Sequence, residues 1–305
     1  MTSLLTNASA IVALQNLNAT NRSMQTTQDR ISTGMRVNNA SDNAAYWAIA
    51  TTMRSDNSAL STVKDALGMG SATVDVTASA MTSTSDLVSQ IKSKLVAARE
   101  PGLDRAKVQA EISQLQKQLK SVSDSSVFSG ENWLSVDSAA PGYNASKSIV
   151  SSFTRSNGSV SVGTIDVDIN ATKLYDANDQ SGLMDKARTL NATTSSVDTI
   201  DISTLTDSVA DQATLTDFIG IVDSALTDVT TAASDLGAVK NRISMQQTFV
   251  SDLMDSVTKG VGQLVDADMS QESTRLQALQ VQQQLGVQSL SIANQNSQQI
   301  LSLFK

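Results

Sequence analysis

Apolar positions recur along this chain at alternating steps of three and four over several long stretches, and the rhythm stops between them. Ala10, Leu14, Leu17, Asn21, Met24, Gln28, Ile31 and Met35 trace one narrow seam, the mark of a helix that packs along a thin line. Leu60, Val63, Leu67, Gly70, Val74, Thr77, Met81, Thr84, Val88, Ile91, Leu95 and Ala98 keep the alternation for more than five heptads, which predicts a rod helix of about 60 Å. Pro101-Gly102 stops it. Val108, Ile112, Leu115, Leu119 and Val122 resume it and predict an antiparallel hairpin with the rod.

The rhythm returns at Leu215 and runs through Phe218, Val222, Ala225, Val229, Ala232, Leu236, Val239, Ile243, Gln246, Val250, Leu253, Val257 and Gly260 to Leu264. A continuous helix of that span would be about 75 to 80 Å long. After a break at Asp266-Ala267-Asp268-Met269-Ser270, a last helix carries Leu276, Leu279, Gln283, Gly286, Leu290, Ala293, Ser297, Ile300 and Phe304. The front of the chain breaks in the same place relative to its rod. Gly34 suits a helix C-terminus, Asn38 and Asn39 tolerate the left-handed conformation, and Ser41 or Asp42 is positioned to cap a helix restarting at Ala44. Both ends therefore mirror each other.

Between Glu131 and about Ala213 the period changes to two. Val160-Ser161-Val162 and Ile165-Asp166-Val167-Asp168-Ile169 alternate apolar with polar, and Ser156-Asn157-Gly158-Ser159 is a turn signal, so a β-hairpin is expected from Ile149 to Ile169. The Ser- and Thr-rich run from Thr189 to Thr206 reads as a mobile or surface segment. The fold class is mainly α with a smaller β part: an elongated chain whose paired terminal helices form coiled-coil rods, with a hairpin-containing segment at the far end. The expected division is 1–43 with 266–305, 44–130 with 214–265, and 131–213.

Composition sharpens this picture. Aromatic residues make up 3% of the chain and charged residues 17%, so burial falls to aliphatic seams and much of the surface is polar without being ionic. Met1 to Asn21 and Leu276 to Phe304 contain no charged side chain at all. A solvated helix carries charges on its outer face, so these two are built to be surrounded by protein. Copies of the same chain are the simplest surroundings, and repeated head-to-tail contacts generate a helical polymer.

The formal charge of −8 and the absence of a Lys/Arg cluster argue against nucleic acid and against an anionic membrane as partners. No apolar run reaches the roughly 18 to 20 residues of a membrane-spanning helix. The start of the chain lacks a basic region and a cleavage site, so export would use a route other than a conventional signal peptide. Cysteine is absent, which excludes disulfides and thiolate metal sites.

Catalysis finds no footing. Without histidine there is no His-based triad and no His-Glu-x-x-His zinc site. Ser61-Thr62-Val63-Lys64 and Ser89-Gln90-Ile91-Lys92 match Ser-x-x-Lys, and Ser41-Asp42-Asn43 matches its companion motif, but Lys-Thr-Gly is missing and both hits lie on the rod. Asp166, Asp168, Asp198, Asp201, Asp266 and Asp268 have no EF-hand spacing. The expected reading is no catalytic residue, no cofactor and no metal. Asn144, Asn157, Asn170 and Asn191 form sequons that an Asn-, Ser- and Thr-rich chain produces by chance.

The run from Asp29 to Ala50, with Ile31-Ser32-Thr33-Gly34-Met35-Arg36-Val37-Asn38-Asn39-Ala40-Ser41-Asp42-Asn43-Ala44-Ala45 at its centre, closely resembles the N-terminal signature of bacterial flagellins. The run from Leu285 through Ala293-Asn294-Gln295 to Leu301 and Phe304 resembles their C-terminal end. The resemblance covers roughly residues 1–130 and 215–305, and Ser41-Asp42-Asn43 with Tyr46-Trp47 looks most like alphaproteobacterial members. It implies a subunit of the flagellar filament, extracellular, with the terminal helices forming an inner tube, the rod helices an outer tube and the middle segment the outer surface. The implied partners are the chain itself and sister flagellins, the flagellar cap and hook-junction proteins, and an export chaperone on the C-terminal helix, with type III export. A hook-filament junction protein or another type III-exported rod is the alternative. On this reading Leu14, Leu17, Met24, Ile31, Leu276, Leu279, Leu290, Ile300 and Phe304 form the assembly seam, and Gly34, Arg36, Asn38, Asn39, Ser41 and Asp42 the spoke between domains.

Overall fold

The structure is a computed structural model that describes residues 7–156 and 158–303, with side chains described through residue 295. Helices α1 (Ala8–Thr33), α2 (Ala44–Ala97) and α3 (Arg105–Ser125) come first. Eight short strands follow: β1 (Val127–Phe128), β2 (Glu131–Asn132), β3 (Ser135–Val136), β4 (Ser146–Ser156), β5 (Ser159–Asp168), β6 (Tyr175–Asp176), β7 (Arg188–Leu190) and β8 (Thr193–Ser195). Helices α4 (Val209–Val265) and α5 (Met269–Leu303) complete the chain. The fold is mainly α with a smaller strand part. Its contacts divide it into a terminal unit, residues 1–58 with 255–305, and a central unit, residues 59–254.

In the central unit the seam of α2 is buried at every expected position from Leu60 to Ala98. On α4 the same holds for Leu215, Phe218, Val222, Ala225, Val229, Ala232, Leu236, Ile243 and Val250. The two helices run antiparallel, tied by Lys92 to Asp223 and Lys240 to Asp75, both at 2.5 Å. Helix α3 folds back along α2 through the turn at Pro101-Gly102. Asp104 caps its first turn by accepting from the Lys107 amide, and Arg105 Nε donates to the Ala98 carbonyl at 3.0 Å.

The strands do not form a separate layer. The β4/β5 hairpin pairs in antiparallel register from Ser146↔Asp168 to Ser156↔Ser159, with an irregularity between Val150 and Ser152. Its inward pair, Ile149 and Ile165, joins the rod's core, which also holds Trp133, Leu134, Leu174, Met184, Leu67, Met81 and Leu119. Gly70 makes this docking possible, because any side chain there would overlap Ile149. Residues 131–213 thus share one continuous core with the helices of this unit.

The Ser/Thr-rich run is not confined to the surface, contrary to expectation. Strands β7 and β8 pair, and Val197, Ile200 and Ile202 behind them are fully buried. Their backbone is held by α3: Gln116 Nε2 donates to the carbonyls of Val197 (2.9 Å) and Ile200 (3.1 Å), while Gln109 Oε1 accepts from the Ile202 amide. Three apolar side chains among many hydroxyls suffice to anchor the run, because the two glutamines satisfy the backbone groups that burial strips of water.

Candidate assembly interface

The terminal unit pairs α1 with α5 in antiparallel fashion. Asn7 opens α1, its Oδ1 accepting from the Ala10 amide and its Nδ2 donating to the Ala293 carbonyl. Gln283 Nε2 reaches Asn21 Oδ1 at 2.8 Å, and Arg30 meets Glu272 at 3.1 Å near the other end. Helix α1 stops where Gly34 adopts φ 70° and donates its amide to the Arg30 carbonyl, a left-handed cap that residues with a β-carbon enter at a cost.

The seam between these helices differs from expectation in one phase. Leu17, Met24 and Ile31 are half-buried as expected, but the positions alternating with them are Ala13 and Thr27, both buried, and Thr20. Leu14 is 48% exposed, and Asn21 and Gln28 are exposed too. Small side chains win because the helices approach closely: Leu17 lies directly over Gly286 on α5. Steps of three-four and four-three share Leu17, Met24 and Ile31, so periodicity alone cannot choose between them. On α5, Leu276, Leu279 and Leu290 are half-buried. The side chain of Ile300 and the whole of Phe304 lie outside the described residues.

The spoke residues gather where α1 gives way to α2. Arg36 and Val37 donate their amides to the Val265 carbonyl, Ala267 donates to the Gly34 carbonyl, and the Arg36 guanidinium reaches the Leu264 carbonyl at 3.0 Å. Val37 is buried with Ala50, Val261 and Val265. Asp42 does not cap α2. Its Oδ2 accepts from the amides of Asn39 and Asn38, each at 3.0 Å, and those two bonds hold its carboxyl below the usual carboxylate range. The cap is Asn43, whose Oδ1 accepts from the Tyr46 amide. Asp42 is drawn back because two adjacent amides in the turn face it, leaving the next side chain for the helix. Ser41 is exposed.

Beyond the seam, the outer faces of both terminal helices display Ile11, Val12, Val281, Leu285, Val287 and Ile292, each at least half exposed. Reading seams alone passed over these residues; their signal was apolar side chains off the seam inside runs devoid of charge. A helix apolar on several sides is a helix meant for burial on several sides. The pair also buries little by itself: on α1 only Ala13 and Thr27 are buried.

A helix pair apolar on its outer faces, uncharged over residues 1–21 and 276–304 and joined through a capped turn, is the build of a structural subunit. The chain belongs to the bacterial flagellin family. Residues 4–139 match the bacterial flagellin N-terminal helical region and residues 219–304 the bacterial flagellin C-terminal helical region. It is 51% identical over 323 residues to Flagellin C of Rhizobium meliloti (strain 1021), and 44% identical over 306 residues to a flagellin of Brucella melitensis biotype 1. It is also 42% identical over 397 residues to Flagellin A of Rhizobium meliloti (strain 1021), and all three alignments span 100% of both chains. These relatives agree with the alphaproteobacterial resemblance. The chain is accordingly a structural subunit of the bacterial flagellar filament, and it polymerises with its own kind.

Proposed function

We propose that this flagellin polymerises through the outer faces of α1 and α5, so that the terminal helix pair becomes the inner layer of an extracellular filament. The observation that carries the reading is Ile11, Val12, Leu14, Val281, Leu285, Val287 and Ile292 standing exposed on stretches without a single charge. Burying such side chains contributes about 25 cal/mol per Å² of apolar surface, and no ionic group must be desolvated in exchange. Leu17, Met24, Ile31, Leu276, Leu279 and Leu290 hold the pair together, while Leu14 faces outward to a neighbour. Gly34, Arg36, Asn38, Asn39, Ser41 and Asp42 form the joint between inner and outer layers, with residues 131–213 on the filament surface. Sister flagellins would co-assemble through the same faces. The cap and hook-junction proteins would meet this surface at the filament's two ends, and an export chaperone would cover α5 before assembly. The chain has no catalytic role on this reading.

The test is negative-stain electron microscopy of the seeded full-length chain beside a version lacking residues 1–33 and 270–305. Long uniform filaments are expected from the full chain alone. Filaments from the shortened chain would sink the proposal.

A further inference from the structure

We propose that the pocket between α1 and α5 lined by Arg30 and Arg275 is a carboxylate-binding site that Asp29 of a second copy of this chain fills on assembly. The pocket encloses about 420 Å³ within the terminal unit, and its polar lining is Ser23, Thr26, Thr27, Arg30, Arg275 and Gln282. Both guanidiniums turn one nitrogen to the same acceptor, Oε1 of the buried Glu272, at 3.1 Å for Arg30 and 3.7 Å for Arg275. One carboxylate therefore anchors two cations, which leaves a net positive charge facing a hydroxyl- and amide-lined cavity. A guanidinium keeps five donors in a rigid fork, so each arginine retains capacity for a second carboxylate.

The occupant follows from the charges available. Among the described residues of α1 and α5 the acids are Asp29 and Glu272, and Glu272 is already committed. Asp29 is exposed; its backbone carbonyl accepts from the Thr33 hydroxyl, while its carboxylate pairs with none of the described residues. It neighbours Arg30 in sequence, and successive residues diverge by about 100° around a helix, so its carboxylate points away from its own copy's pocket. A knob on one face and a socket on another make a heterologous contact, the kind that propagates from copy to copy. Arg22, the other cation on α1, is an exposed single arm, whereas Arg30 and Arg275 are held in place by Glu272, and a held fork loses less freedom on binding. The contact rests on the reading that the terminal helices drive assembly.

The experiment is a double-mutant cycle on the critical concentration for seeded polymerisation of the full chain, with Asp29→Asn, Arg275→Gln and both together. The Asp29 carboxylate holds no other group of its own copy, and the Thr33 bond to its backbone carbonyl survives the change, so Asp29→Asn leaves the monomer's fold untouched, which circular dichroism monitors. Each single change is expected to raise the critical concentration about tenfold, and the double change no further than either alone. Lys117→Gln, a charge removal on α3 of the central unit, serves as control and should leave it unchanged. A wild-type value for Asp29→Asn, or multiplied effects in the double variant, would overturn the contact. Failure of the unaltered chain to polymerise would instead strike at the filament reading itself.

Discussion

The terminal and central units are built from the same three-four rhythm, yet they spend it differently. In the central unit the seams of α2, α3 and α4 close on one another and on the strands, burying Leu67, Met81, Ile91, Leu95, Ile112 and Leu119 almost completely. In the terminal unit the seam of α1 and α5 is mostly half-buried, and as many large apolar side chains face outward as inward. Charge separates them as well. Residues 1–58 and 255–305 hold seven basic and seven acidic residues, so the whole formal charge of −8 resides in residues 59–254. One unit closes its seams on itself and carries the net negative charge; the other is neutral and leaves much of its apolar surface open, as the proposed assembly would require.

The sharpest way to probe that contrast is the Lys173–Asp176 pair, the one ion pair buried on both sides among the described residues of the central unit. Lys173 and Asp176 sit at 2.6 Å with almost no exposure, and Asp176 also accepts from the amides of Ser138 and Asn178. Burial opposes ionisation of Asp176, but the Lys173 ammonium and those donors outweigh it and hold the carboxyl far below its usual range. Asp176→Ala strands a buried ammonium and should cost the central unit about 3 to 5 kcal/mol in denaturant unfolding. Since the folded carboxyl titrates below the unfolded one, the stabilisation is present above about pH 4 and lost as pH falls through the folded value. Acid unfolding should therefore begin at higher pH in Asp176→Ala.

Paired truncations compare the cores directly. Leu67→Ala in the fully packed seam should cost about 3 kcal/mol of monomer stability, while Leu17→Ala, half-buried against Gly286, should cost under about 1 kcal/mol in the monomer. Leu17→Ala should nonetheless impair filament formation more than Leu67→Ala does. Equal losses in monomer unfolding would erase the distinction between a closed and an open unit. The smallest effect concerns the joint: Gly34→Ala forces a β-carbon into the left-handed region and should cost about 1 kcal/mol, read as a modest drop in the thermal stability of assembled filaments.

Much of this was legible in the residues themselves. Every seam position of α2 from Leu60 to Ala98 is buried as its spacing required, the helix breaks fall at Gly34, Pro101-Gly102 and Asp266, and the hairpin around Ile149 and Ile165 sits where its alternation placed it. Long periodic runs leave one consistent solution, since a shift of phase would expose a dozen apolar side chains at once.

Tertiary structure decided what short or degenerate patterns could not. It chose Ala13 and Thr27 over Leu14 and Gln28, because the distance between two helices, rather than hydrophobicity, determines which side chain fits a seam. It folded Thr189 to Thr206 against Gln109 and Gln116, partners some ninety residues away in sequence that no local window contains. It brought Arg30 and Arg275 to one carboxylate from opposite ends of the chain. Periodicity is a local property and survives in the sequence; spacing between elements and pairing across the chain exist only once it has folded.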